Sequence, residues 1–177
     1  MSTTIPYDPK TVALLVIDMQ KSFRHEIIDI IPNVQSIVKA CHKKEIPVFW
    51  TKRGHRNLEL DGGAVGRWWG SIWGSEELEI MKELKPFIMQ SPTLIDVLDF
   101  IIKNKICYEA FNNTKLDSLL IFLGIKALII SGAKTTLCCE VTARNATATG
   151  NEKMHEAILL NLEYGVVKVS TVAEAIE

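Results

Sequence analysis

A thiol and a carboxylate stand out in this chain as groups able to do chemistry. Cys138 lies in the run Gly132-Ala133-Lys134-Thr135-Thr136-Leu137-Cys138-Cys139-Glu140, directly after the apolar residues 127–131. That short aliphatic stretch, closed by Gly132, predicts a buried strand. Thr135 or Thr136 can cap the helix that follows, and Glu140 stands at capping-box spacing. The thiol therefore falls in a first helical turn at the carboxyl end of a strand, the edge where open α/β sheets bind ligands. A helix N-terminus favours negative charge there, which lowers a thiol's pKa toward the nucleophilic thiolate. The same position also suits a small buried hydrophobe, a common role for a cysteine. Asp18 closes a second aliphatic run, residues 11–17. A charge at the mouth of a buried strand serves either as a cap for the next turn or as a base for a neighbouring thiol.

The elements that would hold these groups alternate. Residues 11–17 read as a central parallel strand. Ile31, Val34, Ile37, Val38 and Cys41 mark one face of a helix over 31–44, and residues 47–51 form the next strand after a right-handed crossover. Residues 53–74 make a long glycine-rich connection carrying Trp68, Trp69 and Trp73, which serves as a lid over a flat substrate or as a packing or oligomer contact. A short capped helix is expected over 75–84, and Ser91-Pro92-Thr93 breaks the chain. Residues 94–102 fit a strand or a helical face, and a short strand opens at Lys105. Asn113-Thr114 caps a helix over 115–123 that Gly124 ends. A helix over 152–162 and a strand over 166–170 complete the pattern.

Composition narrows the function classes. At 177 residues the chain fits one domain, 1–177, with a sizeable core. Twenty basic against 21 acidic residues leave no charge excess to attract nucleic acid or an anionic membrane. No apolar run reaches membrane-spanning length, and the N-terminal residues do not read as a signal peptide. Four cysteines without a Cys-x-x-Cys pair argue against a disulfide framework or a zinc site. A cytoplasmic location is expected.

The block Gly132-x-x-Thr135-x-x-Cys138-x-x-x-Thr142-Ala143-Arg144 resembles the nucleophile region of the isochorismatase-like cysteine hydrolases. Two further blocks match in the same order: residues 13–20, ending Asp18-Met19-Gln20, with Phe23; and Lys105 followed by Tyr108-Glu109-Ala110-Phe111. Phe111-Asn112-Asn113-Thr114, Cys138-Cys139 and His155-Glu156-Ala157 are most similar to the nicotinamidase-like branch. The resemblance implies a three-layer α-β-α sandwich on a mostly parallel, Rossmann-like open sheet, with strand order about 3-2-1-4-5-6. Relatives carry an extra loop, strand and loop, roughly fifteen residues in all, where Ala146 here runs almost directly on to His155. Loss of an inner strand would break the ladder, so an omitted segment is favoured over a true loss of one strand.

The resemblance further implies a catalytic set of Asp18, Lys105 and Cys138. Asp18 would take the thiol proton and Lys105 would stabilise the anionic state and lower the thiol pKa. Backbone N–H groups of Lys134 and Cys138 would form an oxyanion hole, shaped in the family by a cis peptide that would fall at Ala133-Lys134. Phe23, Trp68 and Tyr108 would wall a small planar amide such as nicotinamide. Metal-dependent relatives carry Asp-x-His where this chain has Lys52-Arg53-Gly54-His55; a lone His55 cannot supply the ligands a divalent ion needs, so no metal and no cofactor are expected. Glu109 and Lys134 replace smaller residues of the family. The expected partners are a small-molecule amide and further copies of the chain, in a dimer or tetramer, with no nucleic acid or membrane. Two other readings stay open: an isochorismatase-type vinyl-ether hydrolase that works through the aspartate without the thiol, and a catalytically silent oligomeric binding protein.

Overall fold

The computed structural model describes residues 8–70, 74–88 and 98–148. Four parallel strands lie in the order β3-β2-β1-β4: β1 Val12–Ile17, β2 Val48–Arg53, β3 Asp99–Lys105 and β4 Ala127–Gly132. This is the expected order as far as it is described; the helix over 152–162 and the strand over 166–170 lie outside the described residues. All six residues of β1 are buried, because the strand is hydrogen-bonded on both sides and covered on both faces. Its side chains alternate between two cores. Leu14 and Val16, with Val48 and Trp50, pack on one face; Ala13, Leu15 and Ile17, with Phe49 and Ile102, pack on the other.

Helices cover both faces. A short helix, α1 (Arg24–Ile27), leads into α2 (Ile31–Lys43), which buries the predicted stripe Ile31, Val34, Ile37, Val38 and Cys41 against the first core. The connection after β2 contains α3 (Leu58–Asp61), capped by the Asn57 side chain, and α4 (Gly63–Trp69). α5 (Leu116–Phe122) and α6 (Glu140–Ala148) cover the second face through Leu116, Leu120, Ala143 and Ala146. The N-cap of α5 is Lys115, without a side-chain cap; Thr114 Oγ1, one residue earlier, accepts from Leu116 N, and Gly124 at φ +67° follows the helix end.

Three local expectations need correction. Residues 75–84 form one 3-10 turn, Glu76–Leu78, rather than a longer helix. Ser75 makes no side-chain cap, and the chain turns extended so that Ile80 can bridge Gln20 while Leu78, Met81 and Leu84 are buried. Lys105 closes a strand instead of opening one. The ambiguous segment is therefore extended over Asp99–Lys105, and residues 89–97 lie outside the described residues. Cys138 sits in a π-helical turn, Thr135–Cys139, ahead of α6, and Glu140 pairs forward with Arg144 instead of reaching back as a capping box.

Candidate active site

The carboxyl edge of the sheet gathers the predicted groups. Asp18 follows β1 in a left-handed conformation, φ +49°, which turns its side chain into the protein where it is wholly inaccessible. Its backbone N–H donates to Thr51 Oγ1 at 3.0 Å, and that hydroxyl donates back to Asp18 Oδ1 at 2.6 Å. Lys105, also wholly inaccessible, donates from Nζ to the other oxygen, Oδ2, at 2.5 Å. Burial alone would push the lysine's pKa down; the adjacent Asp18 charge reverses this and raises it, so Lys105 stays cationic.

Cys138 completes the group. Gly132 permits its approach: at φ +128° the glycine lies so close to β1 that a Cβ would stand 2.3 Å from Ile17 O. Lys134, at φ +58°, then starts the π turn, its carbonyl accepting from Leu137 N (3.1 Å) and Cys139 N (3.2 Å). No peptide bond among the described residues is cis, so the Ala133-Lys134 bond is trans, contrary to expectation. The thiol is 3% exposed. Its pKa is pushed up to about 12, by burial first and by the Asp18 charge second, against the pull of Lys105 and Arg53. This corrects the expectation of a lowered pKa, because burial outweighs both the cations and the helix end. The resting group is a thiol rather than a preformed thiolate.

The remaining predicted residues divide. Phe23 is buried at the end of a 3-10 turn, Lys21–Phe23, and belongs to the α2-side core. Tyr108 is half-buried against the opposite core, which contains Cys138. Trp68 is 71% exposed on α4 and is not brought to the triad. Trp73 and the side chain of Trp69 lie outside the described residues. Glu109 accepts a 2.6 Å hydrogen bond from Asn145 of α6, which ties it to the helix that follows Cys138. His55 is fully buried, with Nδ1 3.1 Å from Asp61 O.

Sequence reasoning missed Thr51, Gln20 and Arg53. Gln20 locks Arg53: its Oε1 accepts from Arg53 N (2.9 Å), and its Nε2 donates to Arg53 O (3.0 Å) and Leu78 O (2.8 Å). Arg53 is 2% exposed, its guanidinium 5.4 Å from the Phe23 ring centroid. Lys134 Nζ stands at the same distance from that ring and pairs with Glu26. The one usable signal was a basic residue ending a strand, Lys52-Arg53, at the ligand-binding edge.

Residues 12–174 match the Isochorismatase domain family. The chain belongs to the isochorismatase family. Among individual relatives of this isochorismatase-family protein, Nicotinamidase 3 of Arabidopsis thaliana is 35% identical, over 88% of this chain and 82% of its own. The ureidoacrylate amidohydrolase RutB of Caulobacter segnis is 26% identical, covering 96% and 86%. A crystal structure of a cysteine hydrolase from Pseudomonas syringae pv. phaseolicola 1448A shares the fold with a TM-score of 0.75 at 22% identity, covering 99% and 97%. The protein is thus an isochorismatase-family hydrolase on an α/β sheet. Among the described residues no helix is long and apolar enough to cross a membrane.

Proposed function

We propose that this protein is a thiol-dependent hydrolase of a small amide, working through a thioester. One observation carries the reading: the buried thiol of Cys138 feels the charge of a wholly inaccessible Asp18 carboxylate, which accepts a hydrogen bond from the buried, cationic Lys105. As Cys138 Sγ attacks the amide carbonyl, its proton passes to Asp18 and the carbonyl oxygen becomes an oxyanion, held by the backbone N–H groups of Lys134 and Cys138. Collapse breaks the C–N bond, and Asp18 returns the proton to the departing ammonia or amine. Asp18 then takes a proton from water, which opens the thioester and frees the acid and the thiol. A raised thiol pKa suits this route, because proton transfer and attack occur together and no thiolate need exist beforehand. Phe23 and Tyr108 are the proposed aromatic contacts of the substrate. The activities of the two relatives, a nicotinamidase and a ureidoacrylate amidohydrolase, both concern small amides and support that class.

Nicotinamide is the first substrate to test. Ammonia release by wild type, with and without chelator, is expected to disappear in Cys138→Ala and to be unaffected by the chelator. Ammonia release that persists in Cys138→Ala would eliminate the thioester route. Hydrolysis of a vinyl ether but of no amide by that variant would favour aspartate-only chemistry.

A further inference from the structure

Arg53 is the feature of the site that the proposed reaction leaves unused. Its backbone is fixed at both N–H and C=O by one glutamine side chain, so the residue is positioned as firmly as the strand it ends. Its guanidinium lies within the protein over Phe23, and its charge reaches both Cys138 and Lys105. Lys134, two residues past the close approach of Gly132 to β1, brings a second cation to the same ring, held there by Glu26. The Phe23 ring thus carries two cations. A neutral aromatic amide would stack on such a ring without needing either. A planar guanidinium instead matches a carboxylate through paired, charge-assisted hydrogen bonds.

We propose that Arg53, assisted by Lys134, forms an anion subsite over Phe23, so that the amide handled by this site bears a carboxylate. The inference rests on the amidohydrolase reading for its consequence in turnover, but the subsite itself is a matter of binding. The carboxylate anchors the far end of the substrate on Arg53, and the amide carbonyl then faces Cys138. With the acyl part held at the anchor, ammonia leaves from the remote end of the amide.

Fumaramate and fumaramide share one planar skeleton and differ in a single carboxylate, so they separate charge recognition from shape. Calorimetric titration of the Cys138→Ala protein reads binding without turnover. Fumaramate is expected to bind at least about tenfold tighter than fumaramide, the worth of one charge-assisted hydrogen bond. Arg53→Gln should abolish that preference while leaving fumaramide binding unchanged, and Arg53→Lys should retain part of it. Lys134→Gln, at a partly exposed position, should reduce the preference by a smaller factor even if Arg53→Gln fails to fold. Equal affinity for the two amides, binding of neither, or a preference indifferent to both substitutions would overturn the subsite. Selective binding of fumaramate without ammonia release by wild type would leave the subsite standing and remove the amidohydrolase reading. Equal binding and equal hydrolysis of both would do the reverse.

Discussion

Asp18 and Lys105 form a solvent-inaccessible ion pair in which neither charge can be removed alone without stranding the other. Both side chains are wholly inaccessible and 2.5 Å apart. Breaking a buried pair from one side costs about 3–5 kcal/mol, whereas replacing both partners with neutral groups costs less. Lys105→Met is therefore expected to lower the urea-unfolding free energy by about 3 kcal/mol. The double variant Asp18→Asn/Lys105→Met should recover part of that loss, and neither variant should hydrolyse amide. Strict additivity of the two single changes would show that the charges do not depend on one another. Three of the residues at this scale were legible because a family pattern spans them: Asp18, Lys105 and Cys138 stand at its matching positions. Thr51, Gln20 and Arg53 were not. The hydrogen bonds of Thr51 to Asp18 and of Gln20 to Arg53 each span 33 positions, and local periodicity carries no trace of such a pairing.

The elements themselves show which physical signals survive in a sequence. β1 and β4 were readable because a strand buried on both faces must be a continuous aliphatic run, and α2 because its buried stripe repeats at helical spacing. The 75–84 segment was misread, because Leu78, Ile80, Met81 and Leu84 are buried by tertiary contact rather than by helical geometry. The π turn was likewise hidden: its cause lies in the approach of Gly132 to β1 and the left-handed Lys134, both set by the neighbouring strand. Gly132 tests this directly. In Gly132→Ala, a methyl would meet Ile17 N and O at 2.5 and 2.3 Å, at a φ that L-residues rarely adopt. The variant should lose at least about 2 kcal/mol in urea unfolding, and what folds should lose activity as the π turn shifts. A variant with wild-type midpoint and full turnover would mean that the nucleophile turn does not depend on this contact.

Across the whole molecule, the ion pair has an architectural meaning that its members lack singly. β1 and β3 are not neighbours; β2 lies between them, and Lys105 reaches over it to Asp18 while Thr51 of β2 binds the same carboxylate. With Cys138 supplied from beyond β4, all four strands send a group to one dry point. Dryness that deep has a thermodynamic signature at high pH. Burial is the main cause raising the thiols of Cys41, to about 11, and of Cys138 and Cys139, each to about 12, from an unfolded value of 9.0. Lys105 is raised as well. A folded pKa above the unfolded one gives stability that is complete below the unfolded value and drains away as pH rises toward the folded value. Between about pH 9 and 11 the unfolded chain releases thiol protons that the native state keeps, so each thiol steepens the loss by up to about 1.4 kcal/mol per pH unit. Urea midpoints measured at intervals from pH 8 to 11 should stay level at first and then fall steeply. Cys41→Ala, which removes one of the four raised thiols at a position in the α2-side core, should make that fall shallower by at most roughly a quarter. A midpoint level up to pH 11 would require these sulfurs to ionise inside the folded protein as freely as outside it, and a site whose thiol waits for Asp18 could not then be as dry as its geometry demands.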